Sequence, residues 1–90
     1  MEIKHLNIKI YGLVQGIFYR ATAKEEAEKL GIKGFARNET DGTVYIEAEG
    51  EKENLDKFIS WCHKGPALAK VETVEVTKGP LKNFLEFETF

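Results

Sequence analysis

The sequence has little of several features that small proteins use to stabilise or anchor themselves. Its 90 residues include one cysteine, Cys62, so the chain cannot form a disulfide with itself. Its apolar runs are only a few residues long, whereas a membrane-spanning helix needs roughly 20. The segment from Met1 to His5 lacks the apolar core of a secretion signal. These absences exclude a disulfide scaffold and a transmembrane helix, and they predict a cytoplasmic protein.

An excess of charge of one sign is also lacking. The chain has 13 Lys and Arg against 15 Asp and Glu, which gives a formal net charge of −2. Such a chain has no overall attraction to nucleic acid or to an anionic membrane, so we expect neither as a partner. Because 42% of the residues are hydrophobic and independent cores take roughly 50 to 200 residues, residues 1–90 are predicted to form a single domain.

What the sequence does contain is a regular succession of strand and helix patterns. Alternating apolar residues predict strands, and apolar spacing of i, i+3, i+4, i+7 predicts helices. An Asp-Gly pair at residues 41 and 42 is a strong signal for a hairpin turn. The predicted elements are, in order, a strand at 6–10, a helix at 21–30, strands at 32–37 and 43–49, a helix from 55 to about 64, and strands at 70–77 and 84–90.

This order predicts an α+β, ferredoxin-like fold. Two amphipathic helices each need an apolar surface, and the simplest arrangement stacks both on one face of an antiparallel sheet as a two-layer sandwich. The topology is β-α-β-β-α-β with a short C-terminal strand added. Because the same fold serves enzymes, metal carriers and RNA-binding modules, function has to be argued from particular residues.

A glycine-bearing loop, Gly12 to Arg20, precedes the first predicted helix. Unpaired N–H groups and the helix dipole at such a position attract phosphate or another anion. Arg20 would be electrostatically disfavoured in the first helical turn unless an anion lay beside it. The loop lacks the Gly-Lys-Ser/Thr ending of a nucleotide-binding P-loop and the three-glycine dinucleotide motif. Taken alone, a loop that only shapes a turn would explain it equally well.

Asn38 ends the second predicted strand, and in this fold the segments that follow the first two strands can lie near each other. Its amide can hold a water molecule but is too weak a base to remove a proton. The plainer interpretation is a turn-forming asparagine beside the hairpin.

The other polar residues form no recognisable catalytic set. His5 and His63 have no ligand partners at metal-binding spacing and are interpreted as surface or helix-end residues. Cys62 lies on the apolar stripe of the second helix and is predicted to be a buried small hydrophobe. Alternating glutamates such as Glu47 and Glu49 are interpreted as a solvated sheet face. No metal or cofactor is predicted.

Together, the two glycine-bearing segments resemble the acylphosphatase family. Ile10–Arg20 is similar to its first signature, and Gly34–Asn38, followed by Gly42–Val44 and Gly50, is similar to its second. The order of the other elements also resembles the family, so the resemblance covers nearly the whole chain.

The resemblance implies a monomeric hydrolase that converts acyl phosphates to a carboxylate and inorganic phosphate without metal or cofactor. Arg20 would bind the phosphoryl group, and Asn38 would hold the attacking water. The remaining residues that the resemblance implicates are Gln15, Gly16, Ile17, Phe18 and Tyr19, whose backbone amides would form a phosphate-binding loop, and Gly12, Thr40 and Thr43, which would support the site.

Two departures and two alternatives remain open. Leu13 stands where many members carry a basic residue, and Phe90 stands where several animal members end in Tyr. One alternative is an RNA-binding module, because residues 33–36 satisfy the first four positions of the RNP1 motif, although Arg37 and Asn38 fail the next two. The other is a domain that binds anions without catalysis.

Overall fold

All five predicted strands and both predicted helices are present in the computed structural model, which describes residues 2–90. No helix in these residues is long and apolar enough to cross a membrane. The elements are β1 (Ile3–Leu13), α1 (Tyr19–Lys29), β2 (Lys33–Asn38), β3 (Val44–Glu51), α2 (Lys52–Lys64), β4 (Lys70–Gly79) and β5 (Phe87–Thr89).

The strands form one sheet in the order β4-β1-β3-β2-β5. β1, β2, β3 and β4 pair in antiparallel fashion, as predicted, but β5 runs parallel to β2. The parallel pair arises because β4 and β5 occupy opposite edges, so the segment between them, residues 80–86, returns the chain across the sheet. The ferredoxin-like α+β fold is confirmed, with a mixed sheet in place of a fully antiparallel one.

The core lies between the two helices and one face of the sheet. Tyr19 links the helices, because its hydroxyl donates a 2.6 Å hydrogen bond to the carbonyl of Cys62. Burial also raises the pKa of the Cys62 thiol to about 12, so this side chain stays protonated at neutral pH and packs as a small hydrophobe. The buried set follows the strand and helix periods: Ile8, Ile10, Tyr19, Ala23, Ala27, Val44, Ile46, Ala48, Leu55, Phe58 and Cys62.

The interpretation of His5, Glu47 and Glu49 as solvent-facing residues is wrong. Their exposed fractions are 3%, 7% and 5%. His5 Nδ1 lies 2.7 Å from Glu49 Oε2, and its Nε2 lies 3.2 Å from Glu47 Oε1. Nε2 also lies 2.9 Å from Asn7 Oδ1, so both ring nitrogens face side-chain oxygens inside the structure.

Residues 80–86 cover this part of the sheet. Glu49 accepts hydrogen bonds from the backbone N–H groups of Lys82, at 2.5 Å, and Phe84, at 3.1 Å. The Phe84 ring stacks on His5 with 5.9 Å between centroids. Burial by itself would raise the pKa of Glu49, but the bonds from Lys82, His5 and Phe84 lower it overall. The alternating pattern of glutamates could not reveal this cover, because it comes from a distant segment of the chain.

Candidate active site

The candidate site lies at the end of the sheet where β1 and β2 finish. β1 leads into the loop at residues 14–18 and then into α1, while β2 ends at Asn38. A cavity of about 310 Å³ opens here and brings Arg20 and Asn38 together from separate elements. Its lining residues are Val14, Gly16, Phe18, Tyr19, Arg20, Ala21, Asn38 and Thr89.

The loop at residues 14–18 presents unpaired backbone donors. In the described part of the chain, residues 2–90, the N–H groups of Gln15, Gly16, Ile17 and Phe18 donate to no backbone carbonyl. α1 begins directly after them, with no side-chain cap and no acidic residue in its first turn. Free donors at a helix N-terminus favour the binding of an anion.

Phe18 has a backbone conformation that side chains rarely adopt. Its φ of 66° and ψ of 20° lie in the left-handed region, which costs a non-glycine residue roughly 1–2 kcal/mol. The ring is 79% exposed, so core packing does not compensate for this strain. The strained residue lines the cavity, and strained backbone of this kind concentrates at functional sites.

Arg20 is available to a ligand in a way that Arg37 is not. Arg20 forms no ion pair with an Asp or Glu side chain among the described residues, and its Nη1 donates to the backbone oxygen of Phe90. Arg37 lies on the opposite face of the sheet, 3.3 Å from Glu39 and over the ring of Tyr45 at 4.9 Å. Of the two arginines, Arg20 is therefore the one that lines the cavity and is not paired with a carboxylate side chain in the described residues.

The turn after Asn38 is held by side-chain hydrogen bonds. Asp41 Oδ1 accepts from both the N–H and the hydroxyl of Thr43, at 3.1 and 2.6 Å. Lys9 lies 2.9 Å from the same carboxylate. The bonds from Thr43 and Lys9 hold the pKa of Asp41 well below its ordinary value. Thr43 is buried in this network, whereas Thr40 is exposed at the turn and its side chain forms no hydrogen bond within residues 2–90.

Sequence reasoning missed the side chain of Gln15. Its Nε2 donates to the carbonyls of Glu39 and Thr43, each at 2.8 Å, and so joins the loop to the turn. The prediction for Gln15 concerned only its backbone amide. A glutamine between two loops carries no sequence signal for this contact, because the contact depends on how close the loops lie.

The local structure explains why a glycine occupies position 12. Its φ is +128°, and a Cβ there would lie 2.1 Å from the carbonyl oxygen of Lys70. The pairing of β1 with β4 shifts register between Tyr11 and Gly12. The glycine therefore allows β4 to approach β1 closely just before the loop begins.

The part of the chain that the structure describes contains no group of three or more His, Cys, Asp or Glu side chains placed to hold a metal ion.

Comparisons with known proteins identify the family to which this chain is similar. The sequence model of the acylphosphatase family matches residues 6–89. The chain is 47% identical over 83 residues to an acylphosphatase of Archaeoglobus fulgidus, covering 92% of this chain and 93% of the relative.

Two solved structures are similar over almost the full length. The acylphosphatase of Bacillus subtilis superposes with a TM-score of 0.94 at 30% identity and covers 99% of each chain. An acylphosphatase from Coxiella burnetii gives a TM-score of 0.95 at 26% identity, covering 98% of this chain and 93% of the other.

Proposed function

The chain belongs to the acylphosphatase family, and on that basis we propose that it hydrolyses acyl phosphates to a carboxylate and inorganic phosphate. The observation that carries this proposal is that Arg20 and Asn38 line one cavity beside a loop with free N–H groups.

In the proposed reaction, Arg20 and the loop amides bind the phosphoryl group. A planar guanidinium can donate two parallel hydrogen bonds to phosphate oxygens. The amides of residues 15–19 add fixed dipoles at the N-terminus of α1. Because charge in the loose phosphoryl transition state lies on the peripheral oxygens, these donors stabilise it where it develops. Gly12, Thr40 and Thr43 are proposed to support the loop and the turn.

Asn38 is proposed to hold the attacking water in line with the bond that breaks. A carboxamide can donate to and accept from water but cannot act as a general base. We therefore propose that the proton of the water passes to a phosphate oxygen. The leaving carboxylate corresponds to an acid that ionises near roughly pH 4 to 5, so it departs without a general acid. The proposed reaction accordingly needs no metal or cofactor.

The same proposal describes residues 1–90 as one monomeric, cytoplasmic domain whose partners are an acyl phosphate and phosphate. β1 and β5, the first and last strands, lie in one sheet, which supports a single unit. We expect no nucleic acid partner, because Phe35 packs against Phe84 and Phe90, at 5.8 and 5.9 Å between centroids, and does not stand free for a base to stack on.

The proposal is tested by hydrolysis of acetyl phosphate by the purified protein in excess chelator. We expect turnover with the chelator present. Asn38→Ala is expected to keep the affinity for inorganic phosphate but to lower kcat by on the order of 100-fold or more, because the water loses its position.

Two results would contradict the proposal. Activity that disappears with chelator opposes the metal-free reaction, and folded Asn38→Ala protein with full activity opposes the role of Asn38. An anion-binding domain without catalysis would bind phosphate and show no turnover at all.

A further inference from the structure

The side chain of Gln15 forms a bridge between the two halves of the candidate site. Its Nε2 lies 2.8 Å from the carbonyl oxygen of Glu39 and 2.8 Å from that of Thr43. Both partners are carbonyls, which only accept, so the NH₂ end of the amide must face them and both of its hydrogens are used. Gln15 thus holds two points of the turn at once.

The turn that Gln15 holds begins directly after Asn38. The backbone pairing of β2 with β3 ends at Asn38 and Val44. Beyond it, the N–H of Glu39 donates to the carbonyl of Thr43 at 2.9 Å. The carbonyl of Thr43 therefore accepts both from the turn itself and from Gln15. Gln15 therefore holds the backbone at Glu39, the residue directly after Asn38.

The sheet holds the turn through other contacts, because Ile10 of β1 pairs with Val44 and Lys9 lies 2.9 Å from Asp41, but neither contact involves the loop at residues 14–18. β3 lies between β1 and β2, so the loop after β1 and the turn after β2 do not pair as neighbouring strands. Within residues 2–90, the hydrogen bonds that directly join residues 14–18 to residues 39–43 are the two from the Gln15 side chain. Gln15 is therefore the residue through which the loop itself, in the described part of the chain, forms hydrogen bonds to the turn.

We propose that Gln15 is a positioning residue, whose side chain sets the distance between Asn38 and the loop at residues 14–18. This inference rests on the proposed function, because the distance matters for catalysis only if Asn38 holds the attacking water. An error of about 1 Å in such a position can reduce a rate by roughly 100-fold. The loop amides and Arg20 do not need Asn38 to bind phosphate. We therefore expect removal of the Gln15 side chain to lower kcat and to leave phosphate affinity largely unchanged.

The test compares Gln15→Met, which keeps the length of the side chain but removes its donors, with the unchanged protein. We expect kcat for acetyl phosphate to fall by about 10- to 100-fold, while the inhibition constant of inorganic phosphate stays within about threefold of its original value. Gln15→Asn, which keeps the amide on a shorter stem, is expected to recover part of the loss. Glu25→Met, at an exposed position of α1, is the matched control and should change neither constant.

A purely structural role for Gln15 would give a different result. It would lower thermal stability and leave kcat unchanged at temperatures where the variant is folded, and this outcome overturns the proposal. A loss of phosphate affinity equal to the loss in kcat also overturns it, since the side chain would then act on the loop alone.

A second measurement does not depend on turnover. The side-chain NH₂ resonance of Asn38 in ¹H–¹⁵N spectra, recorded with saturating inorganic phosphate, should shift or broaden in Gln15→Met and stay in place in Glu25→Met. An unchanged Asn38 resonance in Gln15→Met overturns the positioning role. If the unchanged protein hydrolyses no acyl phosphate, the proposed function fails, while the spectra still decide whether Gln15 positions Asn38.

Discussion

The two arginines of the chain show how surroundings determine what a residue can do. Arg37 is paired with Glu39 and lies over the rings of Phe35 and Tyr45, so its guanidinium is already engaged. Among residues 2–90, the one hydrogen bond of Arg20 goes to the backbone oxygen of Phe90, and Arg20 lines the cavity. The guanidinium of Arg37 therefore packs on the surface of the sheet, whereas that of Arg20 is available to an anion.

Arg20→Gln and Arg37→Gln form a matched pair of substitutions. We expect Arg20→Gln to abolish measurable turnover and to weaken phosphate binding by at least about 10-fold, because a charge-assisted hydrogen bond contributes roughly 1.5–3 kcal/mol. Arg37→Gln should keep both turnover and phosphate affinity within about twofold of the values of the unchanged protein. Phosphate titrations by calorimetry and acetyl phosphate kinetics measure the two effects, and equal losses in both variants would contradict the assignment of Arg20.

For single residues, the sequence indicates which residues belong to the candidate site but says less about how their backbone and side chains are arranged. Arg20 and Asn38 could be singled out, because their segments resemble family signatures. The left-handed backbone of Phe18 and the bridge from Gln15 could not be predicted, since both depend on how a loop closes against a turn. The burial of His5 was missed for the same reason, because its cover comes from the far end of the chain.

Among the elements, the helices and strands follow from their own periodicity. The apolar spacing from Leu55 to Cys62 predicts α2 to its observed end at Lys64. Alternation predicts the middle of β1, but the strand extends from Ile3 to Leu13 because β3 and β4 pair with it on both sides. The direction of β5 was not predictable from its three residues, since it depends on the path of residues 80–86.

The segment at residues 80–86 is expected to depend on the buried pair of His5 and Glu49. His5→Ala removes the ring whose Nδ1 lies 2.7 Å from the buried Glu49 carboxylate, and leaving a buried polar group without one of its partners typically costs about 1–3 kcal/mol. Urea unfolding measures the loss, and amide exchange at Lys82 and Phe84 should accelerate, because both N–H groups bond to Glu49.

The control for this prediction is an exposed ion pair. Lys52 lies 3.0 Å from Asp56 on the surface of α2, and Lys52→Ala should cost less than about 0.5 kcal/mol. Similar losses in His5→Ala and Lys52→Ala would contradict the importance of the buried pair.

For the molecule as a whole, two buried glutamates contribute to how stability changes with pH. The pKa values of Glu47 and Glu49 are both lowered from the ordinary 4.5, because hydrogen bonds to the carboxylates outweigh the effect of burial. In the unfolded chain these groups take up protons near pH 4.5, before the folded protein does. Their contribution to stability is therefore complete above that pH and is lost as the pH falls through the lowered values.

We expect the free energy of unfolding to change little between pH 5 and pH 7 from these groups and to decline below about pH 4.5. Urea titrations at a series of pH values measure this dependence. Glu49→Gln should show a shallower decline, since one of the two groups no longer titrates. A free energy that stays constant or rises between pH 4.5 and pH 3 would contradict the prediction.

The interior place of β1 in the sheet, between β4 and β3, has a consequence for how the chain folds during synthesis. β1 is synthesised before its two neighbours β3 and β4, yet residue 5 pairs with residue 49 on one side and with residue 79 on the other. Such distant pairings slow folding, because a long stretch of chain must be ordered before the contact forms. On the ribosome, β1 therefore keeps an open edge until β4 has emerged, and a nascent chain halted before residue 70 exposes a strand that other chains can pair with.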